Sequence, residues 1–364
     1  MRYFYYVNSA YQLMNVLNLN NHRKNGFENI EDYKADLFLL NTFNGADKIY
    51  GHLKEKDYFD NVYIIDKKTN KGKLHTVYSL LDSLSSSFYF SSKYGFEKSF
   101  LKNKYDVIST PKYSIFVDQI CRMNRKAEIE LFEEGSASYN PIDLLEMQPR
   151  LYKKVDKVLH NGVDLTEYKR IYLVNEDMYF SDYKDRVIEI PKFDDDFLNE
   201  LCVLFEDINR QSVDKPIYWI SQFLNNEEFN RMVDEVLSNV NKYHDDVLFC
   251  QHPRNHMDNK YGFAESDGSH IWELKVLGMK DINEKLLVAI HSTACFSPKM
   301  LFDKEPFIIF IYKLGSYEVS NMTPAFEKMI EVFKNSYSNP DKVMIPEDME
   351  ELKECLKKYN ERTI

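Results

Sequence analysis

Three short stretches of this chain combine residue types that could move a proton or hold a phosphate. "EEG" at 133–135 sets two carboxylates, Glu133 and Glu134, before Gly135. A carboxylate can act as a general base, and glycine tolerates a sharp or left-handed turn beside it. "HPRNH" at 252–256 puts His252 ahead of Pro253 and Arg254. An imidazole there could hydrogen-bond or protonate a leaving phosphate, while proline fixes the loop and arginine adds positive charge. "HST" at 291–293 offers Ser292 and Thr293, whose hydroxyls and following backbone N–H groups make a phosphate cradle without glycine. Each piece alone also has a plainer reading: a solvated strand end, a surface histidine before a turn, a helix cap.

Other chemistries are harder to build from this sequence. GxGxxG is missing after the first apolar run, where the chain reads "VNSAYQL", and neither GxSxG nor GxxxxGK[ST] occurs. His252 and His256 lie four apart, but Pro253 interrupts the helix that an HxxxH metal pair needs, so no metal is expected. "DDD" at 194–196 reads as a linker or a helix N-terminus.

The elements that must position these residues follow from apolar periodicity. Strands are expected at 2–7, 35–41, 61–66, 105–110 and 127–132, with a helix opened by Ser9 after the first and mostly helix over 72–102. A proline, an acidic triplet and a helical run then break the pattern around 186–215. Alternation resumes with strands at 217–222, 246–251, 286–291 and 306–312, a short strand "KVMI", and helices at 226–241, 323–335 and 347–360. Strands separated by helices imply βαβ units and mostly parallel sheets, so the fold class is α/β with two Rossmann-like halves. The expected division is 1–190, a linker region 191–214, and 215–364. In such sheets ligands sit beyond the carboxyl ends of the strands, which is where EEG, HP and ST fall. Strand parity carries Glu133 onto the face of Ile129 and Leu131 and Glu134 onto the other, so one carboxylate enters a given cleft; both stay candidates.

Composition narrows the class. The chain has 364 residues, is 44% apolar, and holds 26 Tyr and 25 Phe against 11 Gly and 11 Pro, which describes a folded protein rather than a disordered one. Most of the aromatic residues are expected in cores. A net charge of −11 disfavours a nucleic-acid partner, yet leaves room for an anionic small substrate in a local positive pocket. Five cysteines without CxxC spacing suggest reduced thiols in a cytosol. The N-terminal apolar run is too short for a signal peptide, and no segment approaches the ~18–20 apolar residues of a membrane span.

The order acidic-acidic-Gly, then HP over a hundred residues later, then Ser-Thr some 40 residues further on is more specific than its parts. It resembles the bacterial sialyltransferases, which carry D/E-D/E-G, HP and S/T-S/T motifs in that sequence. "NSAYQLMNVLNL" also looks like the Ser-x-x-Gln-Leu-x-Asn opening of glycosyltransferase family 52, the lipooligosaccharide and capsule sialyltransferases. "YWISQ" looks like the strand-ending Gly-Gln segment that begins that family's second domain, with Ser221 where glycine is usual.

The resemblance implies a GT-B architecture with the active site in the cleft between two Rossmann-like domains. It also implies inverting, metal-independent transfer from CMP-sialic acid to a galactose-terminated glycan, without a cofactor. Glu133 or Glu134 would be the base and His252 the group at the leaving phosphate. Ser292, Thr293, Pro253, Arg254 and Gln222 would lie on the donor side, and Gly135, Ser136, Ser9 and Gln12 on the acceptor side. A cytoplasmic location, peripheral contact with the inner membrane and a homodimer fit the same resemblance. Two other readings stay open: a GT-B glycosyltransferase with a CDP- or UDP-linked donor, and a non-catalytic glycan- or nucleotide-binding protein of the same fold.

Overall fold

In the first half of the chain, strand β1 (Arg2–Val7) is buried from Tyr3 onward, as a central parallel strand covered on both faces must be. Its two faces carry different cores. Phe4 and Tyr6 join Phe38, Phe116, Ile108 and Ile129 in an apolar cluster. On the other face Tyr3 and Tyr5 surround the guanidinium of Arg23, which lies 4.9 Å from one ring centroid and 5.8 Å from the other. Arg23 bonds Glu130 at 2.6 Å, so a buried cation sits among aromatic faces with its counter-charge in contact. The tyrosine-rich opening thus serves packing.

The computed structural model describes residues 1–43, 45–66, 85, 90–91, 93–96, 100–112, 114–139, 168–181, 183–205, 214–222, 227–244, 246–251, 257–266, 271–279, 281–315 and 323–362. Most of the helix expected over 72–102 lies outside these residues.

After β1 come helix α1 (Ala10–Asn25), β2 (Lys34–Leu40), α2 (Ala46–Glu55), β3 (Asn61–Ile65), β4 (Val107–Thr110), α3 (Ile115–Met123), β5 (Glu128–Phe132), β6 (Arg170–Leu173), β7 (Val187–Glu189) and α4 (Asp195–Leu204). The strands form one parallel sheet in the order β3-β2-β1-β4-β5-β6-β7. The chain builds outward from β1 to β3, then returns to build the other way from β4, so the switch point lies between β1 and β4.

The second half runs β8 (Ile217–Ile220), α5 (Glu227–Tyr243), β9 (Val247–Cys250), β10 (Ala264–Ser266), α6 (Trp272–Gly278), β11 (Leu286–Ala289), α7 (Thr293–Phe302), β12 (Phe307–Phe310), α8 (Pro324–Asn335), β13 (Val343–Met344) and α9 (Met349–Arg362). Its sheet is also parallel, in the order β10-β9-β8-β11-β12-β13, with the switch point between β8 and β11. Two Rossmann-like sheets are therefore present. Met1–Glu176 with Ser181–Leu204 makes one unit, and Asp177–Phe180 with Phe205–Ile364 the other. Within the interval 191–214, α4 groups with the first unit; Asp194 caps it by accepting from the Phe197 N–H at 2.8 Å.

Three strands, β6, β7 and β10, have no counterpart in the sequence reading, and the strand expected at 286–291 stops at Ala289, before His291. All five cysteines are free thiols. Among the described residues, no helix is long and apolar enough to cross a membrane.

Candidate active site

In the first unit the sheet ladder continues one residue past β5, because the Glu133 N–H donates to Tyr172 O at 2.9 Å. The chain then turns at Gly135, whose φ of 130° lies where side-chain-bearing residues are strained. A single 3-10 turn, Ser136–Tyr139, follows; the Ser138 N–H donates to Gly135 O at 3.0 Å and the Glu134 N–H to Ser138 Oγ at 2.8 Å.

This geometry separates the two carboxylates. Glu133 is 1% exposed, and both its oxygens are engaged: Tyr11 donates to Oε1, while Tyr139 and the Val174 N–H (2.8 Å) donate to Oε2. Burial pushes its pKa up, and these three donors oppose that shift. Glu134 keeps 13% of its side chain exposed and pairs through Oε2 with Lys112 Nζ at 2.6 Å. Lys112 follows β4, beside the switch point of this sheet. Across that point, Ser9 caps α1 by accepting from the Gln12 N–H at 3.2 Å, and the Gln12 side chain reaches back to accept from the Asn8 N–H at 2.9 Å. The Ser-x-x-Gln spacing therefore builds a variant of the capping box, with Gln12 itself buried.

In the second unit the corresponding edge leads into a helix N-terminus. Ser292 caps α7, its Oγ 3.4 Å from the Ala294 N–H, so Ser292 and Thr293 stand at a helix N-terminus directly after β11. Gln222, two residues beyond β8, accepts from the His291 N–H at 2.8 Å, across the switch point from its own strand. The His291 ring packs on Phe326, with centroids 5.1 Å apart. At the end of β9, Gln251 binds Met257 twice, donating to its carbonyl at 2.9 Å and accepting from its N–H at 3.0 Å. The residues flanking 252–256 are thus tied together, while His252, Pro253, Arg254 and His256 lie outside the described residues.

Residues that motif reading passed over also stand here. Trp272 donates from Nε1 to Ala294 O at 2.7 Å, docking α6 on the first turn of α7. Next to it, Glu273 is buried, and desolvation pushes its carboxyl up to about 7. Tyr11 and Tyr139 were visible only as members of "SAYQL" and "SASYN", with nothing local to mark them as partners of Glu133. Lys112 carried no signal beyond its place after a strand.

No family model matches the sequence, and no curated protein is similar to it at a significant level. Solved structures are similar in fold. A UDP-GlcNAc 2-epimerase of Methanocaldococcus jannaschii, in complex with UDP-GlcNAc and UDP, gives a TM-score of 0.54 at 8% identity, over 99% of this chain and 92% of that one. The UDP-GlcNAc 2-epimerase of Neisseria meningitidis bound to UDP-GlcNAc gives 0.52 at 10% identity, over 100% and 92%. The GT-B domain of a sialyltransferase from Photobacterium damselae gives 0.48 at 14% identity, over 95% and 100%. At such identities the likeness is one of fold, and it defines the chain as a GT-B-like protein of two parallel Rossmann-like sheets.

Proposed function

We propose that this protein is a nucleotide-sugar-dependent glycosyltransferase, and specifically a sialyltransferase that uses CMP-sialic acid and a galactose-terminated glycan. One observation carries the reading. The described EEG and ST motifs both lie just past the carboxyl ends of parallel strands, a partly exposed carboxylate in one unit and a helix N-terminus in the other. Sialyl transfer needs those two opposite groups.

As the bond from the sialyl carbon to the CMP phosphate breaks, the sialyl centre gains oxocarbenium character and the acceptor hydroxyl attacks from the opposite face. Glu134 takes the hydroxyl proton, because a base must touch its substrate and both Glu133 oxygens are engaged by protein donors. Lys112 holds one Glu134 oxygen and leaves the other for the acceptor. Negative charge grows on the departing phosphate. The first N–H groups of α7, with the Ser292 and Thr293 hydroxyls, meet that charge. His252 donates a hydrogen bond or proton to it, and Arg254 adds positive charge.

The test is incubation with CMP-sialic acid and labelled galactosides, read by product mass and linkage. Products heavier by one sialyl residue support the reading; none across the panel overturns it. The fold likeness to UDP-GlcNAc 2-epimerases favours a second reading, an enzyme of a UDP-linked sugar. Thermal shift separates the two, because CMP or CDP should raise the melting temperature more than UDP if the donor is CMP-sialic acid.

A further inference from the structure

The first carboxylate of the EEG motif has no direct part in the reaction just described, yet it is the better held of the two. Its three donors come from three separate places in the first unit. Tyr11 belongs to the first turn of α1, Tyr139 to the turn that follows Gly135, and the Val174 N–H to the end of β6. Tyr139 has a fixed direction: its hydroxyl accepts from the Asn175 N–H at 3.2 Å and so donates onward to Glu133. Such a chain of bonds is stronger together than its members are singly.

Only an acceptor can meet the Val174 N–H, and a carboxylate is the side chain that accepts at both oxygens. Removing it would leave buried donors unpaired in three elements at once. The segment so fixed is short. Between Glu133 and Tyr139 lie Glu134, the Gly135 turn and Ser138, which holds the Glu134 N–H. Whatever fixes the two ends of this segment fixes the backbone that carries Glu134.

We propose that Glu133 is a positioning residue, whose carboxylate joins Tyr11, Tyr139 and the Val174 N–H to set the Gly135 turn and aim Glu134 at the acceptor hydroxyl. The catalytic consequence rests on the sialyl-transfer reading; the structural one does not. Tyr11→Phe is the sharpest probe, since it removes one donor and changes no residue of the strand or of the turn that carries Glu134.

Two readouts are needed on that variant. Amide hydrogen exchange should quicken by about fivefold or more at Glu134 and Ser138, the loss of roughly one net hydrogen bond, while the melting temperature stays within a few degrees. In steady-state transfer, kcat should fall about tenfold or more at an unchanged KM for CMP-sialic acid, because a base moved by a fraction of an ångström loses rate and not donor binding. Glu133→Gln, which keeps an acceptor for Val174 and Tyr139, should fall between wild type and Tyr11→Phe, and serves as the probe should Tyr11→Phe not fold. Exchange unchanged in the folded variant overturns the proposal, as does wild-type kcat or a loss seen only in KM. Should the wild-type protein transfer no sialic acid, the functional reading falls, and the exchange readout still decides whether Glu133 sets the turn.

Discussion

The carboxyl edges of the two sheets are built alike and present opposite hydrogen-bonding groups. Each has a serine capping the helix at its switch point, Ser9 in the first unit and Ser292 in the second. Each has a glutamine whose carbonyl accepts a backbone N–H there, Gln12 from Asn8 and Gln222 from His291. The first edge adds an acceptor, Glu134, supported by a buried Glu133. The second edge adds donors, the Ser-Thr start of a helix. A doubly wound sheet thus supplies the same support twice, and chemistry is set by which groups, acceptor or donor, the next residues bring. Proton removal suits the first edge and anion binding the second.

The harshest way to break that contrast is to neutralise the acceptor. Glu134→Gln should lower kcat by roughly 10²–10⁴-fold, the usual contribution of a general base, with CMP binding by calorimetry unchanged. A drop smaller than tenfold would return the role of base to Glu133.

A second prediction compares the two buried carboxyls. Glu133 is met by three donors, whereas the carboxyl of Glu273 is raised to about 7 chiefly by burial, relieved by its own backbone N–H. A folded-state pKa above the unfolded value of 4.5 means that the native protein binds the extra proton. The stability it contributes is complete below pH 4.5 and is lost as pH rises through about 7. The shift is worth about 3 kcal/mol. Glu273→Gln should therefore remove a corresponding part of the decline in unfolding free energy between those pH values, measured by denaturant titration. An unchanged pH slope would mean that Glu273 is solvated or paired.

Much of this frame was legible. The runs "RYFYYV", "ADLFLL" and "FIIF" are buried parallel strands because nothing else suits long apolar runs between helical segments. β7 and β10 were hidden because each has three residues, lies at a sheet edge and carries an exposed glutamate, Glu189 or Glu265. The separation of Glu133 from Glu134 could be anticipated from parity, but which one is buried could not. That depends on Tyr11, 122 positions away, and on Val174, 41 away. The glutamines show the same limit. The resemblance put both among the candidate residues, whereas only the folded chain reveals that each accepts a main-chain N–H.

Those glutamines give the third test. Gln12→Leu removes a buried acceptor and strands the part-buried Asn8 N–H, so it should cost about 1–3 kcal/mol of stability without affecting CMP affinity. Gln222→Leu acts at a partly exposed site, so water can replace part of the bond and the stability loss should be smaller. CMP should nevertheless bind more weakly, because His291 leads directly into the Ser292 cap. Equal effects on CMP binding would mean that the two edges do not divide the chemistry.

The smallest effect should come from the caps themselves, and it compares the edges most closely because the same atom is removed from both. An N-cap serine replaced by alanine costs about 0.5–2 kcal/mol. Ser9→Ala should lie toward the upper part of that range, since Ser9 Oγ stands 3.2 Å from its N–H and Gln12 braces the turn from the other side. Ser292→Ala should lie at the lower end, because its capping contact is 3.4 Å long. Ligand binding should reverse the order. A hydroxyl that caps its helix loosely is free to turn to a phosphate, so Ser292→Ala should weaken CMP binding several-fold, less than the ~1.5–3 kcal/mol of a full hydrogen bond to a charged group. Ser9→Ala should leave it unchanged. Chemical denaturation and calorimetry on the two variants measure both quantities, and an unaltered CMP affinity in Ser292→Ala would reduce that serine to a cap.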